Sequence, residues 1–206
     1  MGDSLGANPT LQTIATMRSV RDFKPDPVDD DKIRTVLEAA VRAPSSSNSQ
    51  PWEFLVLRDA KVKRRVGEVV SARWHALMDA GMAKMPPDRR RIYDGATRLV
   101  DHTGTVPVVI LACIDLNRAS KSEEAKYGSI YPAVENLMLA AWSLGLGCCI
   151  TTHGSSTARG EAEVKKVLGV PESIKVAAMI YMGYPSKKHR PPIRAAVDRV
   201  VHYDAW

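Results

Sequence analysis

Cysteine is scarce in this chain of 206 residues, where only Cys113, Cys148 and Cys149 occur. Three cysteines are too few for a disulfide framework, and no further cysteine or histidine stands at metal-ligand spacing from the adjacent pair. We therefore expect all three thiols to be buried and reduced, and we predict no metal site.

Long hydrophobic runs and targeting signals are also missing. The longest apolar runs, such as residues 106–113, are too short to cross a bilayer. Residues 1–10 are polar and Gly-rich, without the basic and apolar regions of a secretory signal. These absences favour a soluble, cytoplasmic protein with one domain over residues 1–206 and a flexible tail at residues 1–10.

The chain contains neither internal repeats nor a Gly-rich turn of the kind that follows a strand in dinucleotide-binding folds, so a Rossmann fold is disfavoured. The net charge of +6 could serve nucleic acid binding, but Lys and Arg are spread along the chain and no recognisable nucleic-acid-binding module accompanies them. An anionic small ligand explains part of this charge equally well. We predict neither a nucleic acid nor a membrane partner.

The apolar pattern indicates an irregular alternation of helices and strands. Helical spacing is found at residues 11–17, 29–42, 60–83, 130–144 and 161–168. Apolar, β-prone segments predict strands at residues 53–57, 106–113, 148–151 and 176–182. Residues 88–101, which include Arg89, Arg90 and Arg91, have mixed periodicity and fit either a helix or a mobile loop.

Two arginines and a serine lie within the short stretch Arg18-Ser19-Val20-Arg21, where a predicted helix passes into an extended segment. Guanidinium groups bind phosphate oxygens through two parallel hydrogen bonds and stay charged at every working pH, and a serine hydroxyl adds a compact donor. The cluster therefore suits a phosphate group. The alternative is an arginine cluster on a solvated surface.

A second unusual segment is the loop from Ala43 to Trp52, with the sequence Ala-Pro-Ser-Ser-Ser-Asn-Ser-Gln-Pro-Trp. Two prolines restrict its backbone and enclose short polar side chains. Amides and hydroxyls on a stiffened loop can satisfy the ring heteroatoms and hydroxyl groups of a ligand such as a flavin. The competing interpretation is a Ser-rich connector, which would not need both prolines, the two amides and Trp52 together.

These two segments together resemble the paired N-terminal motifs of the nitroreductase family. Further matches follow in the family's order. Residues 131–141 and 144–147 resemble its central helix and Gly-Leu-Gly ending, and Gly183-Tyr184-Pro185 with the region of Arg194 resembles its C-terminal motif. The resemblance covers residues 13–206, and the joint occurrence of the motifs is far more specific than any one of them.

The resemblance implies an α+β fold with a β-sheet flanked by helices, and an interlocked homodimer whose interface forms two equivalent FMN sites. It implies that Arg18, Ser19 and Arg194 hold the FMN phosphate, with Arg21 near the pyrimidine edge of the flavin. The residues implied to reach the flavin from the partner subunit are Pro44, Ser45, Ser46 and Asn48. Thr152 and His153 fall where the family offers backbone donors to the N5 and O4 edge, but this chain lacks the glycines often found there.

The resemblance also implies the reaction. In the family, flavin takes hydride from NADH or NADPH and passes it to an acceptor such as a nitroaromatic or a quinone in a ping-pong sequence. No catalytic side chain is needed, because protein groups mainly bind and orient. Residues 72–104 are expected to cover the substrate side of the flavin, since relatives differ most there.

Several alternatives stay open. The superfamily also contains deiodinases, flavin-fragmenting enzymes of cobalamin ligand synthesis and dehydrogenases of peptide-derived rings. A flavin-storing or regulatory protein without useful turnover is a further interpretation, and a basic nucleic-acid binder is a distant last. The sequence does not choose between NADH and NADPH.

Overall fold

The computed structural model describes residues 8–81, 86–152 and 157–206, without the side chains of residues 79–81, 87–89 and 91. Its α-helices are Pro9–Thr16 (α1), Asp30–Ala40 (α2), Ala60–Gly81 (α3), Pro87–Asp101 (α4), Glu123–Ser143 (α5) and Ala158–Leu168 (α6). Its strands are Trp52–Leu57 (β1), Val108–Asp115 (β2), Gly147–Thr151 (β3) and Ile174–Gly183 (β4). Among the described residues, no helix has the length and apolar character needed to cross a membrane.

The strands form one sheet in the order β1-β2-β4-β3, and every neighbouring pair is antiparallel. At the centre of the sheet, Leu111 on β2 lies opposite Leu55 on β1 and Met179 on β4. β2 is buried over nearly its whole length because both faces of the sheet are covered. This burial explains why β2 reads as a continuous apolar run rather than as an alternating strand.

Two apolar clusters, one on each face, hold the helices against the sheet. The first joins alternate β2 residues such as Ile110 and Ile114 to α2 and α5, and the second joins Val109 and Leu111 to α3, α4 and α6. The adjacent Cys148 and Cys149 belong to opposite faces. All three cysteines are buried and free, as the sequence predicts.

The α+β architecture predicted from the sequence is confirmed, with shifted boundaries. Residues 88–101 are helical, within α4. α5 begins at Glu123 rather than near Ile130, because Ser122 caps it and two glutamates occupy its first turn, where they favour a helix start. β2 begins at Val108, directly after Pro107, which lacks the N–H that a strand ladder needs.

The segment predicted as a flexible tail, residues 1–10, overlaps the first helix. α1 begins at Pro9, because the Asn8 side chain accepts hydrogen bonds from the amides of Thr10 at 3.0 Å and Leu11 at 3.2 Å. An N-cap followed by proline at the first helical position is a common way to start a helix. The remaining part of the predicted tail, residues 1–7, lies outside the described residues.

One close approach ties the Arg18–Arg21 segment to the sheet. Ser19 pairs with Cys148 in an isolated parallel bridge, and the Val20 amide donates to the Cys148 carbonyl at 2.8 Å. The Val20 side chain is completely buried beside Gly147, where a Cβ atom would lie only 2.7 Å from the Cβ atom of Val20. Only glycine at position 147 leaves room for this contact.

We expect Gly147→Ala to lower the free energy of unfolding by about 1–3 kcal/mol, because the added methyl overpacks against Val20. Gly128→Ala is the matched control, since a Cβ atom there meets no atom within 4 Å. Alanine in this exposed helical position should leave stability unchanged or raise it by up to about 1 kcal/mol. Urea denaturation of both variants tests the contact, and equal midpoints would contradict it.

Candidate functional site

A cleft of about 380 Å³, here called the basic cleft, lies beside the Arg18–Arg21 segment. It is lined by Arg18, Ser19, Arg21, Asp22, Gly95, Arg98, Lys187, Lys188, His189 and Arg190. Six of these side chains are cationic and one, Asp22, is a carboxylate, which gives the lining a formal charge of +5 with histidine neutral. Such a concentration of one sign of charge attracts an anionic ligand.

Backbone pairing brings the two halves of the basic cleft together. The amide of Lys24 donates to the carbonyl of Tyr184 at 2.8 Å, and the amide of Ser186 donates to the carbonyl of Asp22 at 3.0 Å. Residues 187–190 therefore follow the end of β4 directly into the cleft. Arg18 secures them, because its Nη1 atom donates to the carbonyl of Arg190 at 2.8 Å.

α4 closes another side of the basic cleft. A Cβ atom at Gly95 would lie 3.3 Å from Cδ of Arg21, so the absence of a side chain there lets the arginine pass close to the helix. Arg98 follows one turn later and lies 4.0 Å from the carboxylate of Asp22. Lys187 shares that carboxylate at 3.1 Å.

Unpartnered donors and acceptors concentrate in the two segments that the sequence singles out. Among the described residues, the buried side-chain nitrogen and oxygen atoms without a hydrogen-bond partner are Arg18 Nε, Arg21 Nε, His189 Nε2 and Ser49 Oγ. Three of them belong to residues that line the basic cleft. Because leaving a buried polar atom unpaired is costly, such a cluster is typical of a ligand-binding site.

The charge state of His189 is set by the same surroundings. Burial lowers the pKa of this imidazole, and the positive charges of Arg18 and Lys187 lower it further, while Asp22 acts in the opposite direction. The ring is therefore neutral near pH 7 in the absence of an anion.

A second cavity, here called the aromatic cavity, has a volume of about 280 Å³ and shares Arg21 with the basic cleft. The other residues that line it are Trp74, Ile92, Tyr93, Ala96, Leu99, Val100, Cys149, Ile150, Thr151, Thr152 and Tyr181. Trp74 and Tyr93 are stacked with ring centroids 6.0 Å apart. A planar, mostly apolar group therefore fits this space, with a guanidinium at its edge.

Cys149 lines the aromatic cavity, and its surroundings favour the protonated thiol. Burial raises its pKa, and the opposing effects of the Arg21 charge and of a hydrogen bond with Ser19 are smaller. A buried thiol with a raised pKa stays protonated and is a poor nucleophile.

The Ala43–Trp52 loop is tightly folded and lines neither cavity. Ser47, Asn48 and Gln50 have positive φ angles of 52°, 52° and 46°, a conformation that non-glycine residues seldom adopt. The Ser46 amide donates to Ser129 Oγ at 3.1 Å, which fastens the loop to α5. Such local strain persists only where surrounding contacts enforce it, and it is frequent at ligand sites.

The structure brings some of the sequence-predicted site residues together and leaves others apart. Arg18, Ser19 and Arg21 line the basic cleft, and Thr152 lines the aromatic cavity. The loop residues Pro44, Ser45, Ser46 and Asn48 lie together elsewhere on the chain. Arg194 is exposed in the C-terminal segment, outside the basic cleft, and its Nη1 atom donates to the carbonyl of Ile193 at 3.2 Å. His153 lies outside the described residues.

Sequence reasoning missed several cationic residues of the basic cleft. Lys187, Lys188, His189 and Arg190 form a run of basic residues directly after the Gly-Tyr-Pro motif, and this run could have indicated them. Arg98 carries no such signal, because only the packing of α4 beside Arg21 brings it to the cleft.

Comparison with known proteins identifies the class of molecule to which this fold and these motifs belong. The sequence profile of the Nitroreductase family matches residues 14–184, and the chain belongs to this family.

Individual relatives differ in name. An NADH dehydrogenase from Thermus thermophilus is 31% identical over 89% of this chain and 90% of its own length. A 5,6-dimethylbenzimidazole synthase from Rhodospirillum rubrum is 29% identical over 85% of this chain and 81% of its own length. Among solved structures, the NADPH:FMN oxidoreductase of Vibrio harveyi complexed with NAD+ has a TM-score of 0.72 at 23% identity, covering 97% of this chain and 78% of that one.

We expect sulfate to bind the basic cleft up to about tenfold more tightly as the pH falls from 7 to 5.5. Protonation of His189 adds a charged hydrogen-bond donor over this range, while sulfate keeps its own charge. In the sulfate-free protein the same protonation should lower stability below about pH 6.5, since the folded-state pKa of His189 lies below its ordinary value. Calorimetric titration at constant ionic strength measures the binding. His189→Gln should flatten the pH dependence, and persistence of the full dependence in that variant would contradict this assignment.

Proposed function

We propose that this chain is an FMN-dependent oxidoreductase that acts as a homodimer, with NADH or NADPH as electron donor and a nitroaromatic, a quinone or a related small molecule as acceptor. The chain's membership of a family of oxidoreductases supports the general class. The cofactor, the donor and the acceptor are inferences from the chemistry of the site.

The cluster of unpartnered donors in the basic cleft is the observation that carries the cofactor assignment. Arg18 Nε and Arg21 Nε are buried without partners. A phosphate group can accept from both guanidiniums, and the formal charge of +5 on the lining exceeds what a dianion needs. The residues present therefore fit the phosphate end of FMN.

The shared position of Arg21 supports FMN over a simple phosphate ligand. One ligand with a phosphate at one end and a planar ring system at the other would occupy the basic cleft and the aromatic cavity together. When bound, FMN would supply the hydride-transfer chemistry between NAD(P)H and the acceptor.

In this arrangement the protein's own groups bind and orient. Arg18 and Ser19 would hold the phosphate. Arg190, which also lines the basic cleft, and Arg194 are further candidates for phosphate binding. Arg21 would stabilise negative charge at the edge of the ring system. Thr152 and His153 would offer backbone donors to the N5 and O4 edge of the flavin.

The C-terminal segment supports a homodimer. Large apolar side chains are exposed along it, with Ile193 at 97% and Trp206 at 101% of full exposure, and Val197, Val200 and Tyr203 lie between them. A run of exposed apolar side chains along one segment is typical of an interaction surface. A second copy of the chain would cover this segment and would bring its own Ser45, Ser46 and Asn48 to the flavin.

Relatives and the cavity guide the choice of donor and acceptor. The names of the Thermus relative and of the Vibrio structure include NADH and NADPH, respectively. α3 and α4 line part of the aromatic cavity assigned to the flavin ring, and their stacked Trp74 and Tyr93 would lie beside a flat acceptor placed against that ring. Residues 72–104 would in this way cover the substrate side of the flavin, as expected from the sequence.

The proposal is tested by purifying the protein, measuring released flavin and determining mass by light scattering. We expect one FMN per chain in a dimer. Stopped-flow mixing should then show reduction of the flavin by NADH or NADPH, and its reoxidation by a quinone or nitroaromatic in an independent half-reaction.

Each failure of this experiment has a separate meaning. A colourless protein that takes up no added FMN would overturn the cofactor, and an FMN-loaded monomer would overturn the shared site. If neither nicotinamide reduced the bound flavin, a storage role or another family reaction would replace the proposal. The synthase named among the relatives shows that such other reactions occur at comparable identity.

The two N-terminal arginines should differ in role. Arg18→Ala should weaken FMN binding roughly tenfold to hundredfold, because loss of a charge-assisted contact costs on the order of 1.5–3 kcal/mol. Arg21→Ala should also lower the reduction potential, since a positive charge at the ring edge favours the anionic reduced form. Arg21→Lys should restore most of the potential because it keeps the charge. Potentiometric titration of FMN-saturated variants measures these effects, and equal potentials for Arg21→Ala and the parent would remove Arg21 from the ring edge.

A further inference from the structure

We propose that Arg118, in the connection between β2 and α5, is a positioning residue for the flavin site: it fixes the Ala43–Trp52 loop for contact with a flavin held by a second copy of the chain. The flavin and the second copy rest on the proposed function. The contacts of Arg118 belong to a single chain, and nothing in the sequence motifs points to this residue.

All three nitrogens of the Arg118 guanidinium donate hydrogen bonds. Its Nε atom donates to Oδ2 of Asp115 at 2.9 Å, and its Nη1 atom donates to the carbonyl of Gln50 at 2.8 Å. Its Nη2 atom donates to the carboxylate of Glu53 and, at 3.4 Å, to the carbonyl of Trp52. The planar fork therefore joins the start of the β2–α5 connection to the end of the loop.

Gln50 links Arg118 to the loop residues that we assign to the flavin. Its backbone amide donates to Oγ of Ser45 at 3.0 Å, and its side-chain amide donates to Oδ1 of Asn48 at 3.1 Å. Gln50 also has a positive φ of 46°, a backbone conformation that non-glycine residues seldom adopt. Arg118 thus acts on Ser45 and Asn48 through one intermediate residue.

The other end of the loop has its own anchor. Ser129 Oγ accepts from the Ser46 amide at 3.1 Å and donates to the carbonyl of Ala125 at 2.7 Å. Loss of Arg118 should therefore release the Gln50 end of the loop while the Ser46 end stays attached to α5. This difference separates a local effect on the loop from general unfolding.

An ordinary surface ion pair would not account for this arrangement. Exposed ion pairs contribute little to stability. A lysine could also pair with the two carboxylates, so they alone do not require an arginine. The backbone carbonyls of Gln50 and Trp52 are different, because only a guanidinium can reach both of them while it also bonds Asp115. Hydrogen bonding from Arg118 lowers the pKa of the Asp115 carboxyl group and so favours its ionised form.

The first experiment tests the anchoring in the flavin-free protein by hydrogen exchange. We expect Arg118→Ala to speed exchange at the Ser49 and Gln50 amides about tenfold, with the helices unchanged. Arg118→Lys should speed it almost as much, because lysine keeps the charge and loses the fork. Arg159→Ala is the matched control, since Arg159 is a mostly exposed arginine paired with Glu163 at 3.2 Å on α6. Unchanged exchange in Arg118→Ala would overturn the proposal.

The second experiment tests the link to the flavin by affinity. Arg118→Ala should weaken FMN binding about tenfold, and Arg159→Ala should leave it as in the parent. An Arg118→Ala protein with parental FMN affinity would overturn the positioning role even if its loop exchanged faster.

A mixed dimer tests the assignment across subunits. If the loop serves the partner's flavin, a dimer of one Arg18→Ala chain and one Arg118→Ala chain keeps one intact site, formed by Arg18 of the second chain and the loop of the first. It should bind one FMN with parental affinity. If the loop serves its own chain, both sites are damaged, and a mixed dimer without a parental-affinity site would overturn the assignment to the partner.

The two proposals fail in distinguishable ways. A parent protein that binds no FMN would end the proposed function and with it the flavin role of Arg118, and hydrogen exchange would still decide whether Arg118 anchors the loop. A parent that binds FMN together with an Arg118→Ala variant indistinguishable from it would leave the proposed function standing and end this inference.

Discussion

The candidate site depends on the burial of Val20 against Gly147. This contact fixes the segment around Val20 to β3, and the bond from its amide to Cys148 sets the position of the segment along the strand. Because Val20 points into the core, its neighbours Arg18, Ser19 and Arg21 are left to line the basic cleft. The chain just after this segment pairs with residues 184–186, and this pairing places the basic residues 187–190 in the cleft. A packing contact without charge therefore organises the most charged part of the molecule.

The fold keeps the two polar motifs of the sequence on separate anchors. The basic cleft is assembled by β3, the end of β4 and α4, whereas the Ala43–Trp52 loop is fixed to α5 and to the β2–α5 connection. Neither cavity beside Arg21 includes a loop residue. A loop that is strained, fastened at both ends and absent from the lining of both cavities has a ready explanation if it serves a second copy. The exposed apolar C-terminal segment is consistent with that arrangement.

The sequence predicts the elements of this fold better than the relations between them. Apolar spacing identifies α2 and the buried strand β2, because periodicity and burial are local properties. It places the start of α5 too late, since the first turns of that helix are polar and are specified by the Ser122 cap. Arg18 and Arg21 can be found because they form one short motif. Arg98 and Arg118 cannot, because their roles arise where segments distant in sequence cross.

The electrostatics of the basic cleft connect stability to ligand binding. Like charges repel one another across the lining, and the buried Nε atoms of Arg18 and Arg21 lack partners, and each of these features opposes folding. An anion that removes both costs binds only the folded state and must raise its stability by the same free energy. The buried polar atoms without hydrogen-bond partners thus lie where one ligand could pair with them. For this reason the cleft is better understood as a binding site than as a defect of packing.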